Sequence, residues 1–167
     1  MDIFDYSFNL VLEFEGGYSN SPHDGGGRTY LGVSERAHPD LWRNGKPTRA
    51  QAMTLYRDHY WDRCRCDKMP GCIAVPVFDT AINCGVSASV RFLQMAINKS
   101  PSVLVDGLIG PATLKAANDP EIDRKKLVCD FTTHRLHHYA TLPNYPHFWK
   151  GWTRRAVHVA MQSMLIE

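Results

Sequence analysis

The sequence predicts an α+β fold that is predominantly helical, with one small N-terminal β-hairpin and a helical C-terminal lobe. Three observations lead to this prediction. Apolar residues recur at helical spacing along most of the chain, helix start and stop signals flank these stretches, and only residues 18–34 combine short β-type runs with glycine-rich turns. The 167 residues, 44% of them hydrophobic and 22% charged, are enough for one domain or for two small lobes that share a core.

The N-terminal elements follow from apolar spacing and from glycine. A helix over residues 4–14 is predicted by apolar residues that would share one face: Phe4, Phe8, Val11 and Leu12. Two glycines at 16–17 end this helix, so Glu15 is expected at its C-terminus. Residues 18–34 follow as short strands joined by glycine-rich turns, which is the pattern of a small hairpin.

Six further helices are predicted after the hairpin. Thr48 and Gln51 form a capping box that opens a helix reaching about Trp61. The others are expected over residues 74–84, over 87–98, from Pro111 onwards, from Asp119-Pro120 to about Tyr139, and from about Trp149 to Leu165. Residues 98–102 are the best candidate for a seam, which predicts lobes at 1–97 and 98–167 packed as one compact unit.

Composition excludes several classes of protein. A net charge of +2 is too small to indicate nucleic-acid binding. No apolar run approaches the roughly 20 residues of a membrane span, so we expect no stable membrane insertion. The first residues have no basic region of the kind that opens a signal peptide, so we expect no export signal.

The cysteines and histidines are expected to be structural or exposed rather than metal ligands. Five cysteines, an odd number, favour reduced thiols, and the cluster in "CRCDKMPGC" (Cys64, Cys66, Cys72) is interpreted as buried thiols, with a zinc site as the alternative. Three histidines fall on one helix face without an acidic partner, and we expect them at the surface: His134, His137 and His138. We therefore expect neither a metal nor a cofactor.

The glycine-rich segment carries residues that suit glycosidic bond cleavage. That reaction needs one protonated carboxylic acid and a second carboxylate that activates water or stabilises positive charge at the sugar. Glu15, at a helix end beside Phe14, lies where the protonated form of a carboxyl group is favoured. Asp24 lies in a polar glycine-rich loop that suits an ionised carboxylate, and the Thr29 hydroxyl could hold a water against it. A solvated glutamate and an ordinary Asp-Gly turn would give the same residues.

Longer motifs resemble one family. The stretch "FEGGYSNSPHDGGGRTYLGVS" resembles the opening signature of the glycoside hydrolase family 108 muramidases, many of which are phage endolysins. The stretches "LYRDHYWDRCRCDKMP", "VFDTAINCGVSASVRFLQMAIN", "VDGLIGPATLKAA" and "FWKGWTRR" resemble later blocks of that family in the same order. The resemblance covers nearly the whole chain, and its last three blocks belong to or flank a peptidoglycan-binding segment.

The resemblance implies a lysozyme-like fold in which Glu15 is the catalytic acid. The spacing from Glu15 to Asp24 and Thr29 also resembles the Glu/Asp/Thr triad of phage-type lysozymes, where one more residue separates the aspartate from the threonine. Where family members often have Asp-Pro-Gly-Gly, this chain has Asp24 followed by three glycines, a change that should loosen the loop.

Substrate contacts are predicted from the same blocks. Asp79 and Asn83 lie four residues apart on one helix face and could bind a sugar hydroxyl or acetamido group, or could form a polar network that braces the helix against the hairpin. Tyr30 could stack on a sugar or pack in the core. The same two roles are open to Tyr60 and Trp61, whereas Trp149 and Trp152 are expected in the core of the last helix.

The resemblance implies a monomeric N-acetylmuramidase, expected to be inverting, that cleaves the β-1,4 bond between N-acetylmuramic acid and N-acetylglucosamine in a cleft between the lobes. As an endolysin it would be held in the host cytoplasm, leave it with a separate holin, and act on the cell wall from the periplasm. Two alternatives stay open: a lytic transglycosylase that uses the same glutamate, and a non-catalytic wall-binding or secretion-associated protein.

Overall fold

The computed structural model describes residues 2–15, 17–20, 27–97 and 103–166. The chain forms two compact units, Met1–His59 and Tyr60–Glu167. The elements are mostly helical, and the described strands form a single antiparallel hairpin, so the predicted α+β class is confirmed. The predicted lobes at 1–97 and 98–167 describe a division by function, which this packing does not test.

The first unit begins with helix α1 (Ile3–Glu15), which buries one face. Phe4, Phe8 and Val11 lie on that face as predicted, together with Leu10. Leu12, which was also expected there, is half-buried. The helix ends at Glu15, and this confirms the position predicted for the candidate acid.

The hairpin consists of β1 (Thr29–Tyr30) and β2 (Val33–Ser34), with Tyr30 paired to Val33. The two turn residues, Leu31 and Gly32, have φ angles of +50° and +72°. Positive φ at both central positions is typical of the type I′ turn, whose twist matches that of the flanking strands. The strands are shorter than the predicted segment 18–34, and part of that segment, residues 21–26, lies outside the described residues.

After a 3₁₀ turn (Pro39–Trp42), helix α2 (Arg49–Tyr56) begins with the predicted capping box. The Thr48 hydroxyl accepts from the Gln51 backbone N–H, and the Gln51 side chain accepts from the Thr48 backbone N–H at 2.8 Å. The helix continues as a π-helical turn (Arg57–Trp61), so the helical segment reaches Trp61 as predicted. A second 3₁₀ turn (Cys66–Lys68) follows.

The second unit is built around α3 (Gly71–Cys84), which is buried without interruption from Cys72 to Ala81. The other helices of this unit are α4 (Val86–Ile97), α5 (Pro111–Ala117), α6 (Arg124–Ala140) and α7 (Tyr145–Ser163). Helices α4, α6 and α7 pack against α3, and α5 packs against α4. A helix with so many buried residues is the core element around which the others are arranged.

Three helix starts differ from the prediction by three residues or more. Helix α3 begins at Gly71 instead of residue 74. The prediction that α6 opens at Asp119-Pro120 is wrong: Asp119 instead forms a turn by accepting from the Glu121 N–H, and Asp123 is the N-cap that accepts from the Lys126 N–H. Helix α7 begins at Tyr145, four residues earlier than expected, with Pro146 in its first turn. Proline is tolerated there because the first N–H groups of a helix have no intrahelical acceptor.

Candidate active site

Glu15 is the last residue of α1, and its side chain is half-buried. The buried face of α1 fixes the direction of the helix and therefore the position of its C-terminal carboxyl group. Asp24, the predicted second carboxylate, lies outside the described residues. The distance between the two carboxyl groups therefore stays a prediction.

Thr29 occupies a strand that is held on both sides. Its partner across the hairpin is Ser34. On the other side it forms an isolated bridge with Ser19, in which the Thr29 N–H donates to the Ser19 carbonyl at 2.8 Å and the Ser19 N–H donates to the Thr29 carbonyl at 2.9 Å. These bonds fix the backbone of Thr29 and leave its half-buried hydroxyl as the group that a ligand or water could use.

The turn of the hairpin lies directly against the end of α1. A methyl group added to Gly32 would lie 1.9 Å from the Tyr56 hydroxyl oxygen and 3.4 Å from Cβ of Glu15. Gly32 is thus the point where the hairpin, α1 and α2 meet. Thr29 lies in the first strand of the same hairpin, three residues before Gly32, and its position relative to the Glu15 carboxyl group stays a prediction.

Tyr56 supports this contact from the last turn of α2. Its side chain is 3% exposed, and its ring meets the Phe8 ring edge-on, with centroids 5.3 Å apart and an interplanar angle of 75°. Phe8 in turn belongs to the buried face of α1. Sequence reasoning did not single out Gly32 or Tyr56. The sequence did contain a clue, because Gly32 lies in the motif "RTYLG" and Tyr56 lies in the motif "LYRDHYW".

Tyr30, the predicted sugar-stacking residue of the hairpin, is half-exposed. The Lys46 ammonium lies 5.3 Å from the centre of its ring and 4.1 Å from that of Tyr18, which is 46% exposed. Such cation–π contacts hold the rings without burying them. Both tyrosines therefore retain accessible ring surface, and a sugar contact at Tyr30 stays a prediction.

A charged pair secures the base of the hairpin. Arg28 donates two hydrogen bonds to the Glu35 carboxylate, one of them 2.7 Å long, and its guanidinium also lies 5.0 Å from the ring centre of Trp42. The hydrogen bond from Arg28 lowers the pKa of Glu35. This bidentate pair fixes the residue immediately before Thr29.

Asp79, in the second unit, is 1% exposed and binds two arginines. Arg135 donates to one carboxylate oxygen at 2.6 Å and Arg155 to the other at 2.9 Å. Burial alone would raise the pKa of Asp79, but the two guanidinium groups outweigh burial and hold the pKa below its usual range. These contacts are those of a bracing network, but they brace α3 against α6 and α7, whereas the predicted partner of the helix was the hairpin. A sugar contact at Asp79 stays a prediction.

Asn83 lies one turn further along α3 and is exposed. Its side-chain oxygen accepts from the Tyr139 hydroxyl at 2.6 Å, and that hydroxyl oxygen accepts from Arg135 at 2.6 Å. Burial raises the pKa of Tyr139, so the hydroxyl keeps its proton and donates. The predicted pair thus joins a single polar network with one buried end at Asp79 and one exposed end at Asn83.

The other predicted aromatic residues divide between core and surface. Trp61 is 1% exposed, packs edge-on against Phe78 and donates its indole N–H to Asp67 at 2.6 Å, so it belongs to the core. Trp152 is half-buried, but Trp149 is 48% exposed, and its predicted core position is wrong. The early start of α7 explains the difference, since Trp149 lies on its first exposed turns.

Cysteine and histidine side chains are the common ligands of structural metal ions. All five cysteines lie within the described residues and are free thiols, with Cys64, Cys66 and Cys72 buried. Burial raises the pKa of the Cys66 thiol well above its usual value. Within the described residues no group of three or more histidine, cysteine or acidic side chains is placed to hold a metal ion, and no helix is long and apolar enough to cross a membrane.

The helix-dominated α+β fold, with a half-buried glutamate at the end of α1 and a small hairpin beside it, is lysozyme-like. Residues 8–85 match the family model described as Glycosyl hydrolase 108, and residues 88–157 match the model described as Predicted Peptidoglycan domain. These matches confirm the resemblance predicted from the motifs: the chain carries a segment that matches the glycosyl hydrolase 108 family, followed by a segment that matches a peptidoglycan domain, and together they support hydrolysis of peptidoglycan.

Comparison with known proteins agrees with this assignment. The structure of Brucella abortus SagA has the same lysozyme-like fold, with a TM-score of 0.79 and 28% sequence identity. The similarity covers 98% of this chain and 94% of the SagA chain, so it extends over both matched segments. No curated protein sequence matches the chain.

Proposed function

We propose that the chain is an N-acetylmuramidase that cleaves the β-1,4 bond between N-acetylmuramic acid and N-acetylglucosamine, with Glu15 as the general acid. The observation that carries the proposal is the contact of the Glu15 side chain with the hairpin turn at Gly32. Glu15 is the last residue of α1, and Thr29 belongs to the hairpin that turns at Gly32, which supports a general acid close to that strand. A general acid must be fixed in this way beside the substrate groove to deliver its proton to the leaving oxygen.

In the proposed mechanism Asp24 and Thr29 hold the attacking water. Glu15 protonates the glycosidic oxygen while the ionised Asp24 accepts a proton from the water, whose oxygen attacks the anomeric carbon from the opposite face. Thr29 is supported in this role by its backbone bonds to Ser19 and Ser34, which hold the strand in place. The result is inversion at the anomeric carbon, because a single displacement reverses its configuration.

The products of digestion test this mechanism. Proton NMR in the first minutes after mixing with purified glycan strands should show the α-anomer of the new reducing end, and mass spectrometry should show products that have gained one water. An initial β-anomer would contradict water activation by Asp24 and Thr29. A 1,6-anhydro product, which lacks that water, would make the protein a lytic transglycosylase.

We further propose that the protein is a monomeric phage endolysin, stored in the host cytoplasm and passed with the help of a holin to the periplasm. The family resemblance of the motifs supports this role. Expression inside Gram-negative cells with and without a holin tests it: lysis should require both proteins. Binding to sacculi without release of reducing sugar would instead indicate the non-catalytic wall-binding or secretion-associated role.

A further inference from the structure

We propose that an aromatic strip on the second unit, in which exposed Phe148 and half-buried Trp152 are backed by the buried ring of Tyr139, binds an N-acetylated sugar of the glycan strand, with the exposed Asn83 amide as a hydrogen-bond donor. The inference rests on peptidoglycan being the substrate. It adds Phe148 and Trp152 to the residues expected to contact that polymer.

The three rings form a continuous stack from the surface inwards. Phe148 is 52% exposed and stacks on Trp152 with centroids 5.6 Å apart and an interplanar angle of 24°. Trp152 in turn lies 5.1 Å from the buried ring of Tyr139. Because the inner rings hold Phe148 from behind, its outer face is presented to solvent in a fixed orientation. A pyranose ring packs its C–H face on such an aromatic surface with little loss of conformational freedom.

Polar donors lie along the same strip. The Asn83 side-chain oxygen is occupied by the Tyr139 hydroxyl, so the amide is oriented, yet its nitrogen donates to none of the described residues. The indole N–H of Trp152, which is half-buried, likewise donates to none of them. Both groups can donate to sugar hydroxyls or to an acetamido carbonyl, which are the acceptors that a glycan strand offers.

The chemistry of the strip favours a glycan over a lipid surface. Its rings and amide carry no charge, and its polar donors suit a neutral, hydroxyl-rich polymer. The exposed apolar residues of α7 that would suit a lipid, Val157 and Met161, carry no such donors. Phe148 and Trp152 also fall within residues 88–157, the segment matched by the peptidoglycan domain model.

Sedimentation of the full chain with purified sacculi in the cold tests the proposal. Phe148→Ala should weaken binding roughly 2- to 10-fold, the range expected for one lost aromatic stack, and Phe148→Tyr should restore it. Asn83→Asp keeps the acceptor for Tyr139 but removes the amide donors, and should also weaken binding. Val157→Ala, at a 42% exposed position of the same helix, should bind like the wild type. Thermal unfolding of each variant checks that it is folded.

Unchanged binding in folded Phe148→Ala, or equal losses in Phe148→Ala and Val157→Ala, would overturn the proposal. The proposal would also be wrong if Phe148→Ala lost binding to anionic lipid vesicles but kept its binding to sacculi, because the strip would then bind a membrane. The proposed hydrolysis is judged separately by release of reducing ends. If the wild-type protein binds sacculi through the strip but releases no reducing ends, the proposed sugar contact stands and the proposed muramidase activity is refuted.

Discussion

At the hairpin turn, Gly32 combines a φ angle of +72° with a close approach to Tyr56 and Glu15. Either feature alone favours glycine. A side chain at this φ angle is strained, and a Cβ atom 1.9 Å from the Tyr56 hydroxyl oxygen would force the turn and the Tyr56 side chain of α2 apart. The geometry of the candidate site therefore depends on one missing methyl group.

Gly32→Ala should lower the free energy of unfolding by about 2 kcal/mol or more, from backbone strain and overpacking together. In a Tyr56→Phe background the same substitution should cost less, because the oxygen in closest contact is gone. Urea denaturation of the two single variants and the double variant measures this coupling. If the decreases in the free energy of unfolding were strictly additive, the close contact between Gly32 and the Tyr56 hydroxyl would be contradicted.

His38 is a second residue whose environment has a measurable consequence. Burial, and secondarily the nearby His59 ring at 5.8 Å, lower the pKa of His38. The folded state therefore disfavours the protonated form, and the unfolded state binds more protons below its pKa of about 6.5. This contribution to stability is fully present above that pH and is lost as the pH falls through the lower, folded-state pKa.

The free energy of unfolding should therefore decrease as the pH falls from about 7 towards 5. His38→Gln should flatten this decrease, whereas His137→Gln, at an exposed position of α6, should retain it. Urea unfolding at a series of pH values is the measurement. A wild-type slope in His38→Gln would show that this histidine does not produce the effect.

At the scale of elements, α3, α6 and α7 are joined by a buried carboxylate and two guanidinium groups. A buried ion pair adds little net stability compared with an apolar contact, but removing one partner is costly, because the remaining charges stay buried and uncompensated. Asp79 forms ion pairs with both Arg135 and Arg155. It therefore determines how these three helices can pack.

Asp79→Asn should lower the free energy of unfolding by about 3 to 5 kcal/mol. Asp130→Asn, which breaks the exposed pair with Lys126 within α6, should cost less than about 1 kcal/mol. Thermal and urea unfolding of both variants compare the two sites. A small decrease in the free energy of unfolding of Asp79→Asn would mean that the two arginines bind other partners or water.

At the scale of the whole molecule, the sequence correctly predicted features that depend on residues close together in the chain. Helix α1, its end at Glu15 and the capping box of Thr48 and Gln51 follow from spacing over a few residues, and the structure confirms them. The start of α6 was missed because Asp119 and Asp123 are both acceptable caps, and hydrogen bonds beyond the motif decide between them.

Contacts between distant residues could not be predicted. Arg135 and Arg155 lie 56 and 76 residues from Asp79, and no periodicity relates them. The meeting of Gly32, Tyr56 and Glu15 similarly depends on how α1, the hairpin and α2 pack. The family resemblance assigned roles to Glu15 and Thr29, but their surroundings follow only from the fold.

The most direct test of the account is the activity of Glu15→Gln on purified peptidoglycan, measured as release of reducing ends. Glu13→Gln, which changes an exposed glutamate on the same helix, is the matched control. Glu15→Gln should unfold at the wild-type temperature and lose activity at least about 100-fold, while Glu13→Gln stays near wild type. A folded Glu15→Gln protein that keeps more than about a tenth of wild-type activity would contradict the assignment of Glu15 as the general acid.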